Sequence, residues 1–186
     1  MGMPVTQHYT ADMVRHLNDL HNWRWPRYET VHGELLVSPA PRAWHQGVVS
    51  RLVRVLGEYL EREPVGFVFS SPADISWSPD VLVQPDVFIV RLDEARTWQW
   101  REMRHLLLAI EVLSPGSARA DRISKRALYQ EQGVALYWVV DADARAVEVW
   151  TPNVQKPRIE RDVLAWHPDG AAESLLLPLA ELFRAL

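Results

Sequence analysis

The sequence predicts an α/β fold in which a central mixed β-sheet is flanked by helices, with a β-hairpin near the N terminus. Residues 43–62 carry apolar side chains at i, i+3, i+4 and i+7 spacing, which is typical of one long amphipathic helix. Residues 106–113 form a nearly continuous apolar run, as in a central strand buried on both faces. Short β-rich segments separated by proline, glycine and serine account for most of the remaining chain.

The first half of the chain contains a helix, a hairpin, the long helix and a series of short strands. Thr10 is a suitable N-cap for a helix that ends before Pro26. Residues 28–38 alternate around His32-Gly33, which predicts two strands joined by a tight turn. After the long helix, strands are predicted at residues 67–71, 73–77, 81–83 and 86–90.

The second half is organised around the buried strand. A helix is expected from Ser117, as its N-cap, to about Gln132, with Gly133 as its C-terminal glycine. Strands at 136–140 and 146–150 form a hairpin, and the first completes a β-α-β unit if it pairs in parallel with 106–113. A strand at 163–166 and a helix at 179–186 follow. We therefore expect one domain over residues 1–186.

Composition limits the possible functions. The 186 residues include 20 basic and 24 acidic side chains and no cysteine. The net charge of −4 excludes a protein held on nucleic acid mainly by bulk positive charge, so any such contact needs a local patch. Disulfides and thiolate ligands are excluded, and no run of about 18 apolar residues predicts a membrane span. We expect a cytoplasmic protein with no membrane partner.

Two carboxylates stand where strand packing alone does not require them. Asp86 follows a proline at the start of a strand, and Glu111 lies near the end of the buried strand. If those strands are adjacent, both carboxylates can bind a hard cation such as Mg²⁺ or Mn²⁺ and leave positions for water and a phosphate. The alternatives are a turn residue for Asp86 and an arginine salt bridge for Glu111.

Lys125 is the third candidate. It lies four residues after Asp121 on the predicted helix, and only Lys156 is a second lysine in this arginine-rich chain. A surface i, i+4 pair is the alternative. Ile123, Ala127 and Leu128 are expected to pack on the sheet, which allows Lys125 either to lie beside Glu111 or to reach solvent.

Three segments together resemble a known family. GELLVSPAPRAWHQGVV, then QPDVFIV, then EVLSPGSARADRISKRALYQEQGVALYWVVDADARAVEVW have the order and spacing of the Uma-two family of restriction-endonuclease-like proteins, from about residue 28 to 151. The resemblance implies the PD-(D/E)XK nuclease fold, a restriction-endonuclease-like mixed sheet that holds acidic metal ligands and a lysine near the scissile phosphate.

The resemblance also assigns roles to residues. It makes Asp86 and Glu111 the metal-binding acids, with the Val112 carbonyl completing the shell, and it makes Lys125 a relocated catalytic lysine. The usual lysine position, two residues after the second acid, holds Leu113 here. Glu34 and His45 match two further family positions. From residue type alone, Glu34 is as compatible with a solvent-facing strand residue, and His45 with a surface or capping residue.

The sequence therefore predicts a Mg²⁺- or Mn²⁺-dependent endonuclease that hydrolyses phosphodiester bonds of nucleic acid, most simply DNA. The alternative is a non-catalytic module that binds nucleic acid or protein and retains the nuclease fold. Trp98 and Trp100 are candidates for base stacking, but we expect them in core packing or in a homodimer contact. Zinc-binding, P-loop and dinucleotide-binding motifs are absent from the sequence.

Overall fold

The computed structural model describes residues 7–22 and 25–185, and it confirms the predicted α/β architecture with its N-terminal hairpin. The helices are α1 (Ala11–Leu20), α2 (Ala43–Arg62), α3 (Leu92–Ala95), α4 (Ala118–Ala120), α5 (Arg126–Glu131) and α6 (Leu179–Leu182). The strands are β1 (Arg27–Val31), β2 (Glu34–Ser38), β3 (Gly66–Ser70), β4 (Val87–Arg91), β5 (Leu106–Val112), β6 (Tyr137–Asp141), β7 (Ala146–Trp150), β8 (Arg158–Glu160), β9 (Val163–Trp166) and β10 (Leu175–Pro178). A 3₁₀ turn spans Trp100–Glu102 and a π-helical turn spans Asp121–Lys125.

The central sheet has six strands in the order β3-β4-β5-β6-β7-β8. Strands β5 and β6 are parallel, as the β-α-β prediction requires, and the other neighbours are antiparallel. The hairpins β1-β2 and β9-β10 form two separate small sheets. The mixed sheet of the prediction is therefore present, with the apolar run 106–113 at its centre.

Two apolar layers cover the two faces of this sheet. Side chains alternate along β4, so that Val87 and Ile89 face the layer formed by α2 and the β9-β10 hairpin. Phe88 and Val90 face the opposite layer, which includes Val31 of the N-terminal hairpin. The strand is buried on both faces, which explains why its sequence is apolar without alternation.

The helical segment after β5 differs from the prediction in its detail. Ser117 has helical backbone angles and makes no capping bond; its hydroxyl accepts from the Ser114 amide at 3.3 Å instead. Ile123, expected on the sheet, is 53% exposed, and Ala127 is also exposed. The π-helical turn Asp121–Lys125 contains Ile123, and its buried residues are Asp121 and Lys125.

The strands predicted at 73–77 and 81–83 are reduced to single bridges, Ile75 to Val83 and Thr30 to Leu82. Prolines 72, 79 and 85 lack an amide N–H and interrupt ladder pairing in this stretch. Strands β8 and β10 were not predicted. The terminal helix is limited to α6, and Leu186 lies outside the described residues.

In the part of the chain that the structure describes, no helix combines the length and the apolar character that crossing a membrane requires.

Candidate active site

One end of the central sheet holds a buried cluster of charged side chains. Its carboxylates are Glu29, Asp86, Glu111 and Asp121, and its cations are Arg27 and Lys125. The strand register explains the central pair. Val87 faces Ile110 in the antiparallel β4-β5 ladder, which places Asp86 next to Glu111 at the sheet end.

Lys125 is the centre of one half of the cluster. Its ammonium nitrogen lies 2.9 Å from Glu29 Oε2, 3.1 Å from Glu111 Oε1 and 3.5 Å from Asp121 Oδ1. The lysine is 1% exposed. The Tyr129 hydroxyl donates to the same Glu111 oxygen at 3.2 Å. One buried positive charge is therefore shared among three buried carboxylates.

Asp86 is the centre of the other half. The Val112 amide and His45 Nε2 donate to its Oδ2 at 2.9 and 3.1 Å. Arg27 approaches Oδ1 at 3.6 Å and also lies 3.9 Å from Glu29, which links the two halves. The ordered amide at the end of β5 thus holds Asp86 against the strand that carries the second acid.

The two central carboxylates have pKa values shifted in opposite directions. Burial favours the neutral form of Asp86, but the His45 hydrogen bond, the Arg27 charge and the Val112 amide outweigh it and hold the pKa of Asp86 below its ordinary value.

Burial raises the pKa of Glu111 well above its ordinary value. Lys125 lowers it, and the nearby carboxylates of Asp121, Asp86 and Glu29 raise it further. Such a separation of two neighbouring carboxylates is a frequent property of sites that bind cations or transfer protons.

The pKa of Lys125 is shifted by the carboxylates of the same cluster. Burial alone would lower the pKa of Lys125, but Glu111, Glu29 and Asp121 raise it above its ordinary value. The three carboxylates therefore stabilise the charged form of the Lys125 ammonium.

A cavity of about 260 Å³ connects Asp86 to solvent. Its lining includes Arg27, Trp25, Ser71 and Pro72 in addition to Asp86. A larger cavity of about 500 Å³ lies near the opposite end of the strands, where Leu107 and Leu136 stand. Each cavity is lined by a single carboxylate, Asp169 in the larger and Asp86 in the smaller. Only Asp86 belongs to the buried charged cluster, so the smaller cavity is the candidate active site.

Most, but not all, of the site residues predicted from the sequence lie in the charged cluster. Asp86, Glu111, Lys125 and His45 are buried within the cluster, and Val112 contributes its amide. Glu34 is exposed at the turn end of the hairpin, opposite Val31, and is not part of the cluster.

The sequence reasoning missed Glu29 and Arg27. Glu29 is fully buried on β1, and its Oε1 accepts from the Gln84 amide at 2.7 Å. A period of two along β1 places Glu29 on the same strand face as buried Val31, and that alternation was the available signal. Nothing in the local sequence indicated that Arg27 would reach Asp86.

The chain was compared with family models, with solved structures and with curated proteins, and the first two gave matches. A family model, Uma2, described as "Putative restriction endonuclease", matches residues 15–181. A crystal structure described as that of "a putative nuclease belonging to DUF820" from Anabaena variabilis is similar, with a TM-score of 0.71. It shares 23% identity over 86% of this chain and 91% of that chain, a likeness that concerns the fold. No curated protein matches.

Proposed function

We propose that this chain, which belongs to the Uma2 family, is a divalent-metal-dependent endonuclease that hydrolyses phosphodiester bonds of nucleic acid, most simply DNA. The description of that family is "Putative restriction endonuclease". The observation that carries the proposal is the buried Lys125 ammonium 3.1 Å from Glu111, whose strand also holds Asp86 through the Val112 amide. In metal-dependent hydrolysis of a phosphodiester, carboxylates hold the cation and a lysine stabilises the negative charge that develops on the phosphate, and one sheet end holds both kinds of group.

The charge of the cluster fits a divalent cation. Four carboxylates face Arg27 and Lys125, and His45 is the only further group of possible positive charge among their described partners. No three Asp, Glu or His side chains among the described residues converge on one cation position. Mg²⁺ is commonly bound through one or two carboxylates plus water and substrate phosphate, so the pair Asp86 and Glu111 meets its needs. Glu29 is a third acid within reach of the same cluster.

In this proposal Asp86 and Glu111 hold the cation, with the Val112 carbonyl as a further oxygen ligand. A bound divalent cation would supply Lewis-acid stabilisation of the phosphate and a lowered pKa for attacking water. The Lys125 ammonium is positioned by Glu29 and Glu111 to neutralise negative charge that develops on the phosphate. Its raised pKa keeps that charge present throughout the reaction.

His45 and Arg27 complete the assignment. His45 donates to Asp86 Oδ2 and so orients that carboxylate from the first turn of α2. Arg27 lines the cavity together with Asp86 and is the one cationic side chain among its lining residues. We assign His45 to positioning of Asp86 and Arg27 to attraction of the substrate phosphate.

Calorimetric titration with Mg²⁺ and Mn²⁺ tests this assignment. We expect millimolar or tighter binding to the wild-type protein, and loss of that binding in Glu111→Gln. Because the pKa of Glu111 is raised, a proton competes with the cation for its carboxyl up to a higher pH than in an ordinary glutamate, so affinity should increase as pH rises through that pKa. Glu111→Gln removes this pH dependence.

Glu34→Gln is the matched control, since Glu34 is an exposed glutamate outside the cluster. It should leave the titration unchanged. Equal loss of binding in both variants would contradict the assignment to Glu111, and the absence of binding at every pH would favour the second candidate function.

The second candidate is a non-catalytic binding module with the nuclease fold. It is favoured by Leu113 at the usual lysine position, and by the hydrogen bonds and ion pairs that already engage both oxygens of Asp86. In such a module the buried cluster would be an internal ion-pair network with a structural role.

Assembly and location remain proposals from the sequence. If Trp98 and Trp100 form a contact between two copies, the protein is a homodimer that matches the two-fold symmetry of a duplex substrate, and this contact would exclude any other use of the two rings. Light scattering at tens of micromolar should then give twice the mass of one chain, and a monomer would contradict it. A cytoplasmic location and a nucleic-acid partner are proposed with it.

A further inference from the structure

Four aromatic rings, named the aromatic row below, pack together on one face of β3, the edge strand of the central sheet, and Trp98 lies within 6.0 Å of both Phe67 and Phe69. Phe67 and Phe69 come from β3, and Trp98 and Trp100 come from the segment after α3. Ring centroids lie 4.8 Å apart for Phe67 and Phe69, 5.2 Å for Phe69 and Trp100, and 5.8 Å for Phe67 and Trp98. Trp98 is 73% exposed, Phe67 41% and Trp100 38%. The row therefore presents large apolar surface to solvent.

The conformation of Trp98 is costly for the folded protein. Its φ of +53° lies in the left-handed region, which bulky side chains rarely adopt. A ring that is mostly in water recovers little of that cost through burial. Strain at an exposed aromatic residue is more readily explained by recognition than by stability.

The aromatic row is continuous with the proposed active site. Asp86 immediately precedes β4, and Phe88 is the second residue of that strand. The Phe88 ring is 5.6 Å from Phe69 and 6.2 Å from Trp100. Pro72 lines both the cavity of Asp86 and a second cavity, of about 220 Å³, that Trp100 also lines. A chain that leaves the active-site cavity past Pro72 meets the aromatic row.

The segment that carries the two tryptophans also supplies positive charge. Residues 91–104 contain four arginines and three acids. Arg91 and Arg101 pair with Asp93 and Glu102, each at 3.4 Å. Arg96 and Arg104 form no ion pair among the described residues. Both are exposed and belong to the same segment as the two tryptophans, so they can offer positive charge to phosphate oxygens, although Arg104 Nε also donates to the Arg101 carbonyl at 3.2 Å.

We propose that this aromatic row binds the unpaired bases of single-stranded nucleic acid, so that the strand continues from the row into the cavity of Asp86. The inference rests on the proposed function, because it names the substrate form of the same site. Exposed rings with adjacent arginines are the usual components of single-strand sites, in which bases stack on aromatic side chains. Paired bases are stacked on one another and offer only their edges in the grooves, so a duplex cannot use the row in this way.

Fluorescence anisotropy tests the proposal without cleavage. Labelled oligodeoxythymidine, oligouridine and a DNA duplex are titrated with the full chain in EDTA. We expect a single strand to bind more tightly than the duplex, and Trp98→Gly to weaken single-strand binding about tenfold. Glycine adopts the left-handed backbone of position 98 without strain, so this variant should fold as well as the wild type. Trp100→Ala provides a second removal of a ring.

Leu176→Ala is the matched control, because Leu176 is 66% exposed and belongs to the separate β9-β10 sheet. It should bind like the wild type. Unchanged single-strand affinity in both tryptophan variants would overturn the proposal, and so would equal affinity for duplex and single strand. A dimer in light scattering that Trp98→Gly converts to monomer would assign the row to a second copy of this chain and also overturn it.

These outcomes are distinguishable from a failure of the proposed function. Binding that depends on Trp98 in a protein that cleaves nothing would support the row and remove the endonuclease. Cleavage of single strands by Trp98→Gly at the wild-type kcat/KM would retain the endonuclease and remove the row.

Discussion

Replacing Lys125 by methionine is expected to lower the free energy of unfolding at neutral pH by about 3–5 kcal/mol. The Lys125 ammonium is the shared partner of Glu29, Glu111 and Asp121, at 2.9, 3.1 and 3.5 Å. All four side chains are buried, so methionine fills similar space but leaves the carboxylates without their central cation. Urea denaturation followed by far-ultraviolet circular dichroism measures the change.

Lys156→Met is the matched control, because Lys156 is the only other lysine and is exposed. Its effect should stay within about 0.5 kcal/mol. If both variants lose the same stability, Lys125 does not have the role that its contacts indicate.

The loss in Lys125→Met should also depend on pH. Glu111 and Asp121 have pKa values above their ordinary range in the folded protein, chiefly through burial. A group with a raised folded-state pKa stabilises the fold below its unfolded-state pKa, and this contribution is lost as pH rises through the folded-state pKa. Removing the ammonium raises both pKa values further. The variant should therefore be closest to the wild type in mild acid and should fall behind as pH rises.

The core of the fold follows from local patterns in the sequence. The apolar run at β5 identified the central strand because both of its faces are covered, by α2 on one side and by the N-terminal hairpin on the other. The same burial made Glu111 conspicuous, since a carboxylate inside such a strand requires a partner. Asp86 could be predicted as a site residue because it follows Pro85 and stands at the start of a strand.

The remainder of the site depends on contacts that no local pattern contains. Glu29 reaches Lys125 across 96 positions of sequence because the hairpin folds over the sheet face that carries the α4-α5 segment. Asp121, Lys125 and Tyr129 share one helix face and are all buried, whereas the apolar character of Ile123 had placed that residue on the sheet. Tertiary contacts decide which face turns inward, here the ion pairs of Lys125 with Glu29 and Glu111.

Asp86→Asn is expected to reduce Mg²⁺-dependent cleavage of nucleic acid by about 10³-fold, because several kcal/mol of transition-state stabilisation by the cation would be lost. The asparagine side-chain oxygen can still accept a hydrogen bond from the Val112 amide, so the variant removes the charge and retains much of the local structure. The measurement is single-turnover cleavage of plasmid and oligonucleotide substrates with Mg²⁺ and with Mn²⁺, together with a melting curve for each protein.

Asp169→Ala separates this site from the larger cavity, whose only carboxylate is Asp169. It should cleave like the wild type. If cleavage survived Asp86→Asn and failed in Asp169→Ala, the reaction would belong to the larger cavity. If it survived both substitutions, neither carboxylate would be required, and cleavage that also persists in the double variant would come from a contaminating nuclease. Loss in Asp86→Asn alone, with an unchanged melting temperature, is the outcome that the carboxylate and lysine cluster requires.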